Sequence, residues 1–157
     1  HVALVEPHIP QNTGSIARTC AATGTTLHIV GKPLFEISER SVRREGLFYL
    51  PFVALKQHEV GSNFLPSVKG VTPFDTLVVD NPGGRPYYET IFGPDDVLIF
   101  GNENTGLARS ILDGIPNGRL LTIPMSCTAV RSLNLSNAVS IVLYESLRQQ
   151  WLSGTTG

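Results

Sequence analysis

Short apolar runs recur along the chain: Val2 to Val5, Leu27 to Val30, Leu77 to Val79, Val97 to Phe100 and Leu120 to Ile123. Each is shorter than a helix needs and lacks an apolar–polar alternation, the pattern of a strand covered on both faces. Turn residues close them, among them Glu6-Pro7, Gly31-Lys32-Pro33, Asp80-Asn81-Pro82-Gly83-Gly84 and Gly101-Asn102-Glu103-Asn104-Thr105-Gly106. Between the runs the period changes. Ile16, Ala17, Cys20 and Ala21 recur at helical spacing, with Asn12 as the expected cap and Gly24 as the stop. Ser38 to Glu45 reads as a polar helix, Val60 to Val68 as a weak helix interrupted by Pro66, and Leu107 to Asp113 as a short one. Phe52 to Leu55 is a weaker strand candidate. The last helix runs from near Asn134 to about Trp151, and carries Leu135, Val139 and Val142 on one side and Leu143, Leu147 and Trp151 on another. A surface helix of a monomer has one apolar stripe, so two stripes predict burial against the sheet and against a second copy of the chain, a homodimer. Strands alternating with helices predict a single α/β domain over residues 1–157, a mainly parallel sheet flanked by helices.

Composition narrows the function. With 157 residues and 41% hydrophobic content, the chain supplies one substantial core and contains no low-complexity tract. No apolar run approaches the roughly 20 residues of a membrane helix, so no membrane partner is expected. A net charge of −1 excludes a bulk polycation, and a nucleic-acid partner would have to be gripped by a local patch. Cys20 and Cys127 have neither metal-like nor redox-like spacing and fit a reduced, cytoplasmic setting; any organellar targeting segment would lie upstream of His1.

In open parallel sheets, ligands collect at the carboxyl ends of strands. The loops after Val79, Phe100 and Ile123 leave such ends, and two of them are rich in glycine, which lets a backbone approach a ligand. After Ile123-Pro124-Met125 comes Arg131-Ser132-Leu133-Asn134-Leu135-Ser136-Asn137-Ala138-Val139, more polar residues at a helix start than capping requires. No G-x-G-x-x-G follows the first strand, and there is no Walker loop, no H-E-x-x-H or paired-cysteine zinc spacing and no G-x-S-x-G elbow, so no metal is expected. His1, His8, His28 and His58 are scattered and read as surface or core residues.

Three blocks carry a family resemblance. They are Glu6-Pro7, Ile9-Pro10, Asn12-Thr13-Gly14, Ile16, Arg18, Cys20-Ala21 and Thr23-Gly24; then Phe100-Gly101, Glu103, Gly106-Leu107 and Ser110-Ile111-Leu112; then Ile123 to Met125 with Arg131 to Val139 and Tyr144-Glu145. Over nearly its whole length the chain resembles the knotted SPOUT RNA methyltransferases of the SpoU type, and within them the small ribose 2′-O-methyltransferases of the tRNA wobble position. The resemblance implies a deep trefoil knot in the carboxyl-terminal part and S-adenosylmethionine as methyl donor. By position, Val79, Gly101, Asn102, Glu103, Ile123, Met125, Ser132 and Leu133 would surround that cofactor. Arg18, Asn12 and Tyr144 would be the catalytic group, with Arg18 holding a phosphate or ribose and Glu103 as its anionic partner. Arg40, Arg43, Arg44 and Arg131, with Lys32, would form a positive strip against an anticodon stem of tRNA. The alternatives are the same chemistry at another tRNA or rRNA ribose, or a non-catalytic RNA-binding module on this fold. The family segment reads basic-basic-small-Gly-Leu-Asp-Tyr; here Glu45 replaces the small residue and Phe48 the acid. In the second loop Asn102 and Asn104-Thr105 stand where proline and a basic residue are common.

Overall fold

The computed structural model describes residues 1–37, 49–59, 76–79, 83–113, 115–116 and 118–154. The expected helices at 38–45 and 60–68, the turn at 80–82, and Arg40, Arg43 and Arg44 lie outside them. Strands β1 (Val2–Val5), β2 (Leu27–Val30), β3 (Leu55–His58), β4 (Thr76–Val79), β5 (Arg85–Pro86), β6 (Val97–Phe100) and β7 (Leu120–Thr122) join in one sheet of order β3-β2-β1-β6-β4-β7-β5. Every pairing is parallel: Val2 lies beside Leu27 and Leu98, and Val79 beside Phe100 and Leu121. A parallel sheet is stable when both faces are covered, and alternate residues sort accordingly. Val2, Leu4, Leu27, Ile29, Leu98, Phe100 and Leu121 face helices α1 (Pro10–Thr23) and α3 (Leu135–Leu152), packing on Ile16, Ala17, Cys20, Val139, Val142 and Leu143. Ala3, Val5, Val30, Val97 and Ile99 face the other way, toward Leu107 and the single-turn helix α2 (Arg109–Leu112).

Several local expectations are corrected. Asn12 does not cap α1. Pro10 takes the first helical position, where its missing N–H and fixed φ cost nothing, and the Ile9 carbonyl accepts from Asn12 N and Thr13 N at 3.1 and 3.2 Å. Asn12 therefore lies inside the first turn with its side chain free for another task. The weak strand at Phe52 to Leu55 is displaced: Leu50–Phe52 winds into a 3₁₀ turn around Pro51, and the strand is Leu55–His58. That strand pairs on one side only and exposes Lys56 and Gln57, so its polar residues hid it. The helix expected from Leu107 is only Arg109–Leu112. In α3, Leu143 belongs to the buried stripe with Val139, Val142 and Ser146, while the outward apolar residues are Tyr144, Trp151 and Leu152, the first two in edge-to-face contact at 6.2 Å. Burial pushes the Cys20 thiol up to about 12, which makes it inert packing.

One polar feature crosses the second face of the sheet. His28, fully buried on β2, has Nε2 3.0 Å from His1 Nδ1 and Nδ1 2.9 Å from His58 Nε2. A neutral imidazole offers one donor and one acceptor, so His28 is satisfied at both nitrogens when the three rings adopt matching tautomers.

Candidate active site

The carboxyl ends of β1, β6, β4 and β7 adjoin in the sheet, and the loops leaving them enclose a cavity of about 520 Å³. Its walls combine Val79, Phe100, Ile123, Leu133 and Leu135 with the polar Asn12, Asn102, Glu103, Arg131, Ser132 and Asn134. An apolar lining with a few convergent polar groups, at this volume, is what a small-molecule site of cofactor size requires.

Two devices shape it. The first is a reversal of the loop after β6. Asn102 and Gly106 exchange backbone hydrogen bonds at 3.2 and 3.1 Å, and the Asn102 side-chain carbonyl accepts from Asn104 N, Thr105 N and Thr105 Oγ1 at 3.0, 2.8 and 3.1 Å. The loop folds so tightly on itself that a Cβ at Gly101 would fall 2.2 Å from the Gly106 carbonyl carbon and 2.5 Å from Leu107 N. Glycine is obligatory there by space, as the motif implied.

The second device is a hydrogen-bond relay among three loops distant in sequence. Glu103 accepts from His8 N at 2.9 Å, Ile9 N at 3.2 Å and Asn12 Nδ2 at 2.9 Å. Asn12 Oδ1 accepts from Asn134 Nδ2 at 2.9 Å, and Asn134 Oδ1 caps α3 by accepting from Ser136 N and Oγ at 2.9 and 2.6 Å. A carboxylate bonded to two N–H groups at the start of α1 also complements that helix's dipole. The relay ties the loop after β1, the loop after β6 and the start of α3 into one frame. At its outer edge Asn104 Nδ2 lies 2.8 Å from His8 Nδ1, and Arg131 Nη2 donates to Asn104 O at 3.5 Å. Glu6, which opens the first of these loops, holds φ at +46°, a conformation that side chains other than glycine rarely adopt.

Of the residues expected around a cofactor, Val79, Gly101, Asn102, Glu103, Ile123, Ser132 and Leu133 line the cavity, as do Asn12 and Arg131. Met125 is half-buried beside it without lining it. Arg18 and Tyr144 are exposed and do not line it either. The expected pairing of Arg18 with Glu103 does not occur: Glu103 is taken by the donors of residues 8–12, and the Arg18 guanidinium stacks over the Tyr49 ring, 4.4 Å from its centroid. Glu145, in the third block, holds Arg148 bidentately at 2.7 and 2.8 Å, and that hydrogen bond keeps its carboxyl below the usual range, so it serves the helix surface. Ile9, Asn104 and Asn134 line the cavity too; they were visible only as members of the first block, the second loop and the third block, without an expected role at a cofactor.

Comparison with known proteins places these features in a family. A family model described as the SpoU rRNA Methylase family matches residues 1–144. A Yersinia pestis protein named tRNA (cytidine(34)-2′-O)-methyltransferase is 41% identical over 152 residues, covering 95% of this chain and 93% of that one. The protein of the same name from Escherichia coli K12 is 40% identical, covering 95% and 92%. A solved structure described as giving structural insights into the 2-OH methylation of C/U34 on tRNA superposes with a TM-score of 0.82 at 39% identity, covering 98% of this chain and 96% of that one. AviRb of Streptomyces viridochromogenes in complex with AdoMet superposes at 0.79 with 26% identity, covering 96% of this chain and 60% of that one. With a family model matched over residues 1–144 and relatives about 40% identical over almost the whole length, the chain belongs to the SpoU methylase family.

Proposed function

We infer that the chain is a tRNA ribose 2′-O-methyltransferase that uses S-adenosylmethionine and acts on the wobble nucleotide of the anticodon. The observation that carries this reading is the cavity built from all three motif blocks, in a chain about 40% identical to tRNA (cytidine(34)-2′-O)-methyltransferases along almost its full length. The cavity fits the cofactor on its own terms. Ile123, Leu133 and Leu135 offer apolar walls, Gly101 lets the 102–106 reversal close tightly as part of the cavity wall, and the exposed 131–134 segment offers backbone donors and acceptors. When bound, S-adenosylmethionine supplies an electrophilic methyl group to a nucleophilic ribose 2′-hydroxyl.

The chain's own residues have then to hold that hydroxyl in line and manage its charge. In this reading the Asn12–Glu103–Asn134 relay keeps the three cavity loops at fixed spacing, and the apolar walls exclude water. Arg18 binds the incoming phosphate or ribose and stabilises negative charge developing on the 2′-oxygen. A guanidinium with pKa above about 12 is a stabiliser of charge and a poor base. Arg131 and Lys32, both exposed, contact the RNA backbone. Arg40, Arg43 and Arg44 are assigned to tRNA binding on the resemblance alone, and Tyr144 is assigned to the reaction on the same ground. The outward Tyr144, Trp151 and Leu152 of α3 form part of a homodimer contact. A trefoil knot in the carboxyl-terminal part is supported by the strand order, in which β6 inserts between β1 and β4 and β7 between β4 and β5. In this reading the activity belongs to the cytoplasm, where tRNA takes part in translation; no helix among the described residues is long and apolar enough to cross a membrane.

Incubating the protein with S-adenosylmethionine and unmodified tRNA, then mapping nucleosides by mass spectrometry, should give a 2′-O-methyl cytidine or uridine at the first anticodon position. Methyl at another tRNA nucleotide, or in rRNA only, would establish the same chemistry on a different target; no methyl transfer to any RNA would leave the non-catalytic module. Arg18→Ala should lower the transfer rate about 100-fold or more, the scale seen when one donor to a developing oxyanion is removed. Its S-adenosylmethionine affinity, read by calorimetry, should stay within about twofold. A parallel collapse of that affinity would move Arg18 into the cofactor pocket.

A further inference from the structure

The Arg18 guanidinium has no acidic partner among the described residues, and its carbon stands 4.4 Å over the Tyr49 ring. Stacking occupies a face of the guanidinium and none of its five N–H donors. Tyr49 is itself firmly placed. It precedes the 3₁₀ turn Leu50–Phe52, accepts from Phe52 N at 3.0 Å, and packs against the buried cluster that contains Leu50, Val53 and the α1 residues Ile16, Ala17 and Cys20. The ring is thus anchored to the same helix that carries Arg18, and a long side chain that would otherwise sample many rotamers is held in one.

We propose that Tyr49 is the positioning residue for Arg18: its ring fixes the guanidinium so that the N–H edge is presented, already ordered, to an anionic group of the RNA substrate. The arrangement favours a phosphate or ribose oxyanion over a carboxylate of the protein, because an intramolecular ion pair would have consumed the same donors. Pre-ordering lowers the entropy lost on binding and leaves the charge intact. This inference rests on the proposed role of Arg18 toward tRNA, and deepens it by naming what sets that side chain's geometry.

The test uses Tyr49→Leu, which keeps bulk in the core and removes the ring, beside Tyr49→Phe, which keeps the ring. Tyr49→Leu should lower kcat/KM for tRNA about tenfold, within the range expected for a lost cation–π contact, with S-adenosylmethionine affinity and thermal midpoint little changed. Tyr49→Phe should retain wild-type values. In an Arg18→Ala background, where no cation remains over the ring, Tyr49→Leu should cost no more than about twofold further. Wild-type rates in Tyr49→Leu, equal losses in Tyr49→Phe, or a full tenfold loss in the Arg18→Ala background would each overturn the proposal. Two further readouts do not depend on methyl transfer: the ring-current shift of the Arg18 side-chain protons by NMR, which Tyr49→Leu should abolish, and tRNA affinity without cofactor. A wild-type protein that binds tRNA without methylating it would overturn the proposed reaction, and the affinity comparison would still decide the role of Tyr49.

Discussion

Gly101→Ala should abolish cofactor binding and cost the fold about 3 kcal/mol, at the upper end of the usual range for inserting a group into filled space. The reason is geometric. The added methyl would meet the Gly106 carbonyl carbon at 2.2 Å, the Gly106 oxygen at 2.5 Å and Leu107 N at 2.5 Å, and all three are backbone atoms that cannot rotate aside. Relief requires the 102–106 reversal to open, which breaks the paired Asn102–Gly106 hydrogen bonds and shifts Glu103, and with it the relay to Asn12 and Asn134. Urea unfolding reads the stability and calorimetry the affinity for S-adenosylmethionine. Gly24→Ala is the control. That glycine has φ of +67° but open space around its missing side chain, so it should cost only the 1–2 kcal/mol of a left-handed residue and leave binding intact. Normal cofactor affinity in Gly101→Ala would mean that the loop is not part of the cofactor site.

The second large effect is an acid sensitivity set by His28. Burial, then the neighbouring charges of His58 and Lys56, push its pKa down from 6.5 to about 4. The folded chain therefore resists a proton that the unfolded chain accepts readily. Stability from this group is fully present above pH 6.5, falls as pH drops from 6.5 toward 4, and is lost once both states are protonated in equal measure relative to neutral pH. Between pH 7 and pH 5 the loss should reach about 2 kcal/mol, at 1.36 kcal/mol per unit of pKa difference. His58, lowered by burial and then by the charge of Lys56, acts with the same sign. Glu145, whose pKa is lowered by its hydrogen bond to Arg148, loses its contribution only below its ordinary value of 4.5, outside the interval measured. Urea titrations at pH 7, 6 and 5 give the slope. A stability independent of pH over that interval would show that His28 titrates in the fold as it does in the unfolded chain, and one that rises toward pH 5 would show that it already carries a proton in the fold.

Much of this architecture is legible in the amino-acid order. Strands β1 and β6, and β2 apart from His28, are buried apolar runs because both sheet faces are covered, so there the pattern and the packing report the same fact. The parts that were not legible fail for physical reasons. β3 is an edge strand whose polar Lys56 and Gln57 face outward, and β5 is two residues long and contains Pro86, so neither leaves a periodic signal. Strand order is a long-range property with no local trace. The motif loops were visible as unusual composition, and most of the residues expected at the cofactor do line one cavity. What composition could not show is how they are wired. Asn12 looked like a helix cap and is a relay between Glu103 and Asn134, and Arg18 looked like the partner of Glu103 and rests on Tyr49.

The relay has a temporal meaning as well as a geometric one. Its members come from positions 8–12, 103 and 134, and the cavity walls from position 9 through 138. Contacts this far apart in sequence form late, after the intervening chain has collapsed and its loops have closed. A chain emerging from synthesis therefore has no cofactor site until α3 has docked against α1. A methyl donor held in that cavity would accordingly be held only by molecules that have finished folding.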